Sequence, residues 1–159
     1  MAQKVIGIGE WAFSDDPNDS IVTYALGSCV ALIVMVQKRS MGGMAHIALP
    51  DSSVDPEKAS VQPAYFADRA VACVLDEFAR RGITSKEMVV KLVGGAQMLD
   101  PQGIFDIGRR NVLEIKKHLW QHFLAPLAED VGGSVSRTVS LLIGEGKVVV
   151  SSQNKKYEL

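Results

Sequence analysis

One stretch restricts the folding of this chain more than any other. Val30-Ala31-Leu32-Ile33-Val34-Met35-Val36 is unbroken apolar sequence, rich in β-branched side chains and bounded by turn formers at both ends. Its length and branching make it a buried strand. Even counted from Cys29 it falls far short of the ~18 apolar residues that a membrane-spanning helix needs. A polar turn, Gln37-Lys38-Arg39-Ser40, follows, and residues 43–49 return as a second strand. With so short a turn the two strands are antiparallel neighbours. Cys29 and His46 then arrive at the same end of the sheet.

The rest of the chain adds elements around that pair. Residues 4–8 read as a short strand, 14–20 as a surface loop dense in Asp, Asn, Ser and Pro, and 21–23 as extended. Residues 50–63 form a polar loop. Residues 64–81 have helical spacing, with Ala67, Val71, Val74, Leu75 and Phe78 on one face and Gly82 as the stop. Residues 88–93 form a buried strand ending at Gly94-Gly95, and 109–123 a helix burying Val112, Ile115 and Leu119. Residues 139–143 and 147–151 form a hairpin around Gly144-Glu145-Gly146. Strands and helices mix without strict βαβ alternation. The expected fold is α/β or α+β: a layered sandwich with a mixed, largely antiparallel sheet and helices packed outside.

No repeat or long linker divides the sequence, and 159 residues favour one domain spanning 1–159. A formal net charge of -1 offers no basic excess for nucleic acid or an anionic membrane. Two cysteines, Cys29 and Cys73, make no disulfide framework and point to free thiols in a reducing compartment. The apolar patch within residues 1–10 is too short for a signal-peptide core. A cytoplasmic protein without direct membrane insertion is expected.

Cys29 carries the chemistry. A free cysteine is commonly a small core hydrophobe. This one follows Gly27-Ser28, where a sharp turn can aim successive N–H groups at one point, as an oxyanion hole requires. A thiol also needs a neighbouring base or positive influence to react at neutral pH. His46, on the return strand, is the candidate, with a satisfied half-buried histidine as the alternative. Such a pairing predicts a thiol that is alkylated well below pH 8. No Asp or Asn falls close by on these strands to orient the ring. Thr23 is the nearest hydroxyl, though threonine is also simply a good strand residue.

Other patterns carry less. His118 and His122 have a helical metal-ligand spacing, but Leu119 stands where a zinc protease has glutamate, and His122 falls near the Ile115/Leu119 stripe. Gly7-Ile8-Gly9 leads into a loop, not the helix that a dinucleotide fingerprint needs. Gly94-Gly95 lacks the Lys-Ser/Thr of a phosphate loop; there glycine allows close backbone approach near the site. Cys73 is read as helix packing.

Together, Thr23-Tyr24-Ala25-Leu26-Gly27-Ser28-Cys29-Val30 and His46-Ile47-Ala48-Leu49-Pro50 resemble the signature of the bacterial chemoreceptor glutamine deamidases, the CheD family. Further matches are Lys91 to Met98, Ile107-Gly108-Arg109-Arg110-Asn111, and Glu129-Asp130-Val131-Gly132-Gly133 followed by Arg137. One departure is Ala25, where the family more usually has glycine. The resemblance implies a cysteine hydrolase without a cofactor. Cys29 is its nucleophile, His46 its general base and acid, and Thr23 the support of the histidine. It further implies methyl-accepting chemotaxis receptors as protein substrate, glutamyl methyl esters as a second substrate, and a CheC-type phosphatase as partner. A regulatory module that stimulates that phosphatase, and a cysteine peptidase, are the competing functions.

Overall fold

The computed structural model describes residues 2–98 and 105–159. Two five-stranded sheets lie face to face. The first has the order β1 (Gln3–Val5), β3 (Ser20–Leu26), β8 (Arg137–Leu142), β9 (Lys147–Ser152), β10 (Lys155–Glu158). The second runs β2 (Trp11–Ser14), β5 (Met41–Ile47), β4 (Val30–Val36), β6 (Val89–Gly94), β7 (Ala128–Val131). Among the strands of the described residues, β1–β3 and β6–β7 pair in parallel and the other neighbours are antiparallel. The mixed, largely antiparallel α+β architecture is as expected, with two sheets sharing the strands.

Every side chain of β4 is buried, which explains its lack of polar alternation. Val30, Leu32, Val34 and Val36 join a core with two helices, α2 (Ala67–Ala79) and α3 (Ile107–Gln121). Ala31, Ile33 and Met35 point the other way, against Ile21, Leu26, Val139, Leu141, Val148 and Val150 of the first sheet. Burying each of the larger side chains contributes roughly 1.5–3 kcal/mol. The strand is thus the shared wall of both cores. β8, covered on one face only, alternates buried and half-buried residues as such a strand must.

Local departures from expectation have local causes. The loop at 50–63 contains a short helix, α1 (Pro56–Val61), started by Asp55, whose carboxylate accepts from the Lys58 N–H at 3.1 Å, with Pro56 in the first turn. α2 begins at Ala67 instead of 64 because Phe66 is extended and held to the end of β5. The Ala67 N–H donates to the Leu49 carbonyl at 2.8 Å, and the Ala48 N–H to the Tyr65 carbonyl at 2.9 Å. β5 runs two residues earlier than expected, and β3 reaches from Ser20 to Leu26.

Candidate active site

Thr23 and His46 come from different sheets and meet between them. Ile21 of β3 and Met44 of β5 both face the inter-sheet core. By alternation, so do Thr23 and His46, each two residues further along. Their solvent exposures are 0% and 3%. Thr23 Oγ1 lies 2.6 Å from His46 Nδ1 and 2.8 Å from the Ile6 carbonyl oxygen.

Those two distances decide the tautomer. A carbonyl oxygen can only accept, so the single hydroxyl hydrogen of Thr23 goes to Ile6. Thr23 therefore accepts from His46, whose proton sits on Nδ1. Nε2 is left with a lone pair, and it is buried without a hydrogen-bond partner among the described residues. The histidine backbone is fixed as well: its N–H donates to the Glu10 carbonyl at 3.0 Å, and its carbonyl accepts from the Gly9 N–H at 2.8 Å.

Cys29 approaches on the same face. His46 pairs with Ala31 in the β4–β5 register, and Cys29 precedes Ala31 by two, so cysteine and histidine are diagonal neighbours. Cys29 is half-buried and packs against the inter-sheet core. Its thiol is not hydrogen-bonded to Nε2. Burial pushes the Cys29 thiol above its ordinary value. Burial also depresses His46 to about 4, partly opposed by the Glu10 carboxylate. At neutral pH both groups are uncharged. The expected ready thiolate below pH 8 is thus not what these surroundings favour, because each ion would lose hydration without a charged partner in place.

The turn carrying Cys29 is held on three successive carbonyls. Gly27 accepts from the Ala96 N–H at 2.8 Å, Ser28 from Asn111 Nδ2 at 3.0 Å, and Cys29 from the Gly95 N–H at 2.8 Å. Gly94 has φ +117°, and a Cβ there would collide with the Cys29 carbonyl, so glycine is required for backbone to pass this close. Gly108 of α3 likewise has no room for a Cβ against the Gly95 and Ala96 carbonyls. Arg137, 7% exposed, donates to the Gly132 carbonyl at 2.8 Å and the Gly94 carbonyl at 3.3 Å, bracing this glycine segment from behind. Ala25 lies in a bulge of β3 at φ +54°, a left-handed conformation that glycine adopts without strain. Beside Cys29 opens a cavity of about 480 Å³ with Ala96, Met98, Phe105 and Ile107 among its walls.

Sequence reasoning assigned no role to Asn111. It is fully buried in α3 and donates both amide hydrogens, at 3.0 Å each, to the Ser28 and Ala48 carbonyls. Its Oδ1 has no protein partner among the described residues. The available signal was an asparagine in phase with Ile115 and Leu119 in an apolar stripe. The two helical histidines fall apart. His118 contacts Glu114 at 3.2 Å, while His122 is exposed at the helix end and not against the stripe. Among the described residues no three His, Cys, Asp or Glu are grouped to hold a metal ion.

Comparison with known families places the chain. Residues 48–152 match the family model described as CheD chemotactic sensory transduction. The chain belongs to the CheD family. That match begins after Thr23, Cys29 and His46, but similarity to individual relatives runs nearly end to end. A probable chemoreceptor glutamine deamidase CheD of Syntrophotalea carbinolica is 42% identical over 153 residues, covering 95% of this chain and 94% of that protein. The chemoreceptor glutamine deamidase CheD of Thermotoga maritima is 41% identical over 148 residues, covering 93% and 90%. One from Solibacter usitatus, also named as probable, is 38% identical over 159 residues, covering 100% and 94%.

Proposed function

We propose that this CheD-family chain is a single-domain cysteine hydrolase, over residues 1–159, that converts glutamine side chains of methyl-accepting chemotaxis receptors to glutamate. The observation that carries the mechanism is the Thr23–His46 hydrogen bond, which leaves the Nε2 lone pair on the face shared with Cys29. Nε2 takes the thiol proton as Sγ attacks the side-chain amide carbon. The carbonyl oxygen becomes an oxyanion. His46 returns the proton to the amide nitrogen, the C–N bond breaks, and ammonia leaves a thioester on Cys29. A water then gives a proton to Nε2 and its hydroxide to the thioester carbon. Collapse restores the thiol and releases glutamate. A glutamyl methyl ester follows the same route with methanol as leaving group.

Because both groups rest uncharged, proton transfer accompanies attack; no ion pair stands ready beforehand. We place the reaction in the cytoplasm, in keeping with two free cysteines and with no helix, among the described residues, long and apolar enough to cross a membrane. Binding to a CheC-type phosphatase is proposed as a second role, on the family resemblance. The test is mass spectrometry of receptor cytoplasmic fragments incubated with the protein. Deamidation adds about one mass unit per glutamine and releases ammonia, whereas a peptidase cuts the chain. Cys29→Ala is expected to abolish the mass gain; full activity in that variant sinks the mechanism. Phosphatase stimulation that survives in Cys29→Ala supports the second role.

A further inference from the structure

We infer that Asn111 is a positioning residue for this reaction, holding the Ser28 carbonyl so that the Cys29 N–H faces the developing oxyanion. The inference rests on the proposed hydrolase chemistry and adds to it the identity of an oxyanion donor. In a trans peptide the carbonyl and the following N–H point in opposite directions. No cis peptide occurs among the described residues. Asn111 Nδ2 holds the Ser28 oxygen at 3.0 Å, so the Cys29 N–H of that same peptide is turned away from α3. The Ala96 N–H holds the Gly27 oxygen at 2.8 Å, which turns the Ser28 N–H in the same manner. Neither the Ser28 nor the Cys29 N–H is bonded to a described residue. Two adjacent donors without an acceptor among the described residues, beside a nucleophile, are what an oxyanion hole needs.

The amide of Asn111 can sit only one way. Turned over, its oxygen would face two carbonyl oxygens; as placed, both its hydrogens are used. The second hydrogen goes to Ala48, two residues after His46. One side chain therefore ties the turn of the nucleophile to the strand of the base. A residue serving packing alone has no need of both contacts, and an apolar one would orphan both carbonyls.

The test separates oxyanion stabilisation from thiol reactivity. Alkylation of Cys29 by iodoacetamide is displacement at a saturated carbon and forms no oxyanion, whereas deamidation does. Asn111→Leu keeps the branched outline, is somewhat bulkier and removes both donors; Asn111→Ser is smaller and keeps a hydroxyl. The expected result in each is a fall in kcat of at least about tenfold, with KM and the alkylation rate within about twofold of wild type. An unchanged kcat, or a kcat that falls only in step with alkylation, overturns the inference. Should neither variant fold, the wild-type protein decides. A receptor peptide with an aldehyde in place of the glutamine amide adds to Cys29 and puts an oxygen where the oxyanion forms. The amide proton resonance of Cys29 in ¹⁵N-labelled protein should then move downfield. An adduct without that shift, or a deamidating enzyme that forms no adduct, overturns the inference. A wild-type protein that neither deamidates nor forms the adduct defeats the hydrolase reading itself.

Discussion

The two faces of the β4–β5 pair are covered equally well and used differently. Toward α2 and α3, β4 and β5 present only apolar side chains: Val30, Leu32, Val34, Val36, Ala45 and Ile47. Toward the other sheet the same strands begin alike, with Ile33, Met35 and Met44, and then place His46 opposite Thr23. An apolar position there needs only volume. A polar one needs every hydrogen bond assigned, because a missing partner costs as much as a lost contact. Two sheets meet this demand well, since each backbone is fixed by its own ladder and the gap between them is set by packing.

The strongest way to break the comparison is at His46. Replacement by alanine should reduce kcat by roughly 10²–10⁴-fold, the usual contribution of a general base, while the folded protein persists. Stopped assays on receptor fragments read this directly. On the helix-covered face, Leu32→Ala should do the reverse. It should cost about 2–5 kcal/mol of stability in urea unfolding and leave kcat per folded molecule unchanged. A large kcat loss there would mean that the two faces are not separable.

His46 also makes stability depend on pH. Its folded value, about 4, lies below the ordinary 6.5, so the unfolded chain binds the proton first. Stability is therefore fully present above about pH 6.5 and lost as pH falls toward 4, by about 2–3 kcal/mol at pH 4.5. Urea midpoints at pH 7 and 4.5 should show this loss in wild type and much less of it in His46→Gln. Thr23→Val keeps shape but leaves the Ile6 carbonyl without its donor and Nδ1–H without its acceptor. It should lower kcat by less than about a hundredfold and stability by about 1–3 kcal/mol, with Thr23→Ser restoring both. Ala25→Gly, in the bulge at φ +54°, should have the smallest effect. Relief of the left-handed strain, offset by added unfolded-state entropy, should stabilise by less than about 1 kcal/mol. A loss of stability in that variant would count against strain at this position.

How legible was all this in the residues alone? The Val30–Val36 strand was plain because burial on both sides left no polar residue to confuse its period. The antiparallel return fixed which end Cys29 and His46 share. Both long helices showed their apolar stripes, and Val112, Ile115 and Leu119 are buried as read. By contrast β2, β7 and β10 are four-residue strands at or beside sheet edges, and β10 is wholly exposed, so no periodicity marks them. Their partners decide them. The Thr23–His46 contact was illegible by spacing because it crosses between sheets. Asn111 was visible as a polar residue in an apolar stripe, but its two carbonyl partners lie 83 and 63 residues away.

The Ile6 carbonyl has a reach that its position hides. It follows β1, three exposed residues at a sheet edge, and is kept in place by the Ile6 N–H donating to the Val22 carbonyl at 2.9 Å. If that edge strand peels away, the Thr23 hydroxyl regains a choice and can give its hydrogen to Nδ1. The imidazole proton then moves to Nε2, and the base goes silent with every reacting side chain still present. The amino-terminal strand is in this sense a dimmer on a proton it never touches.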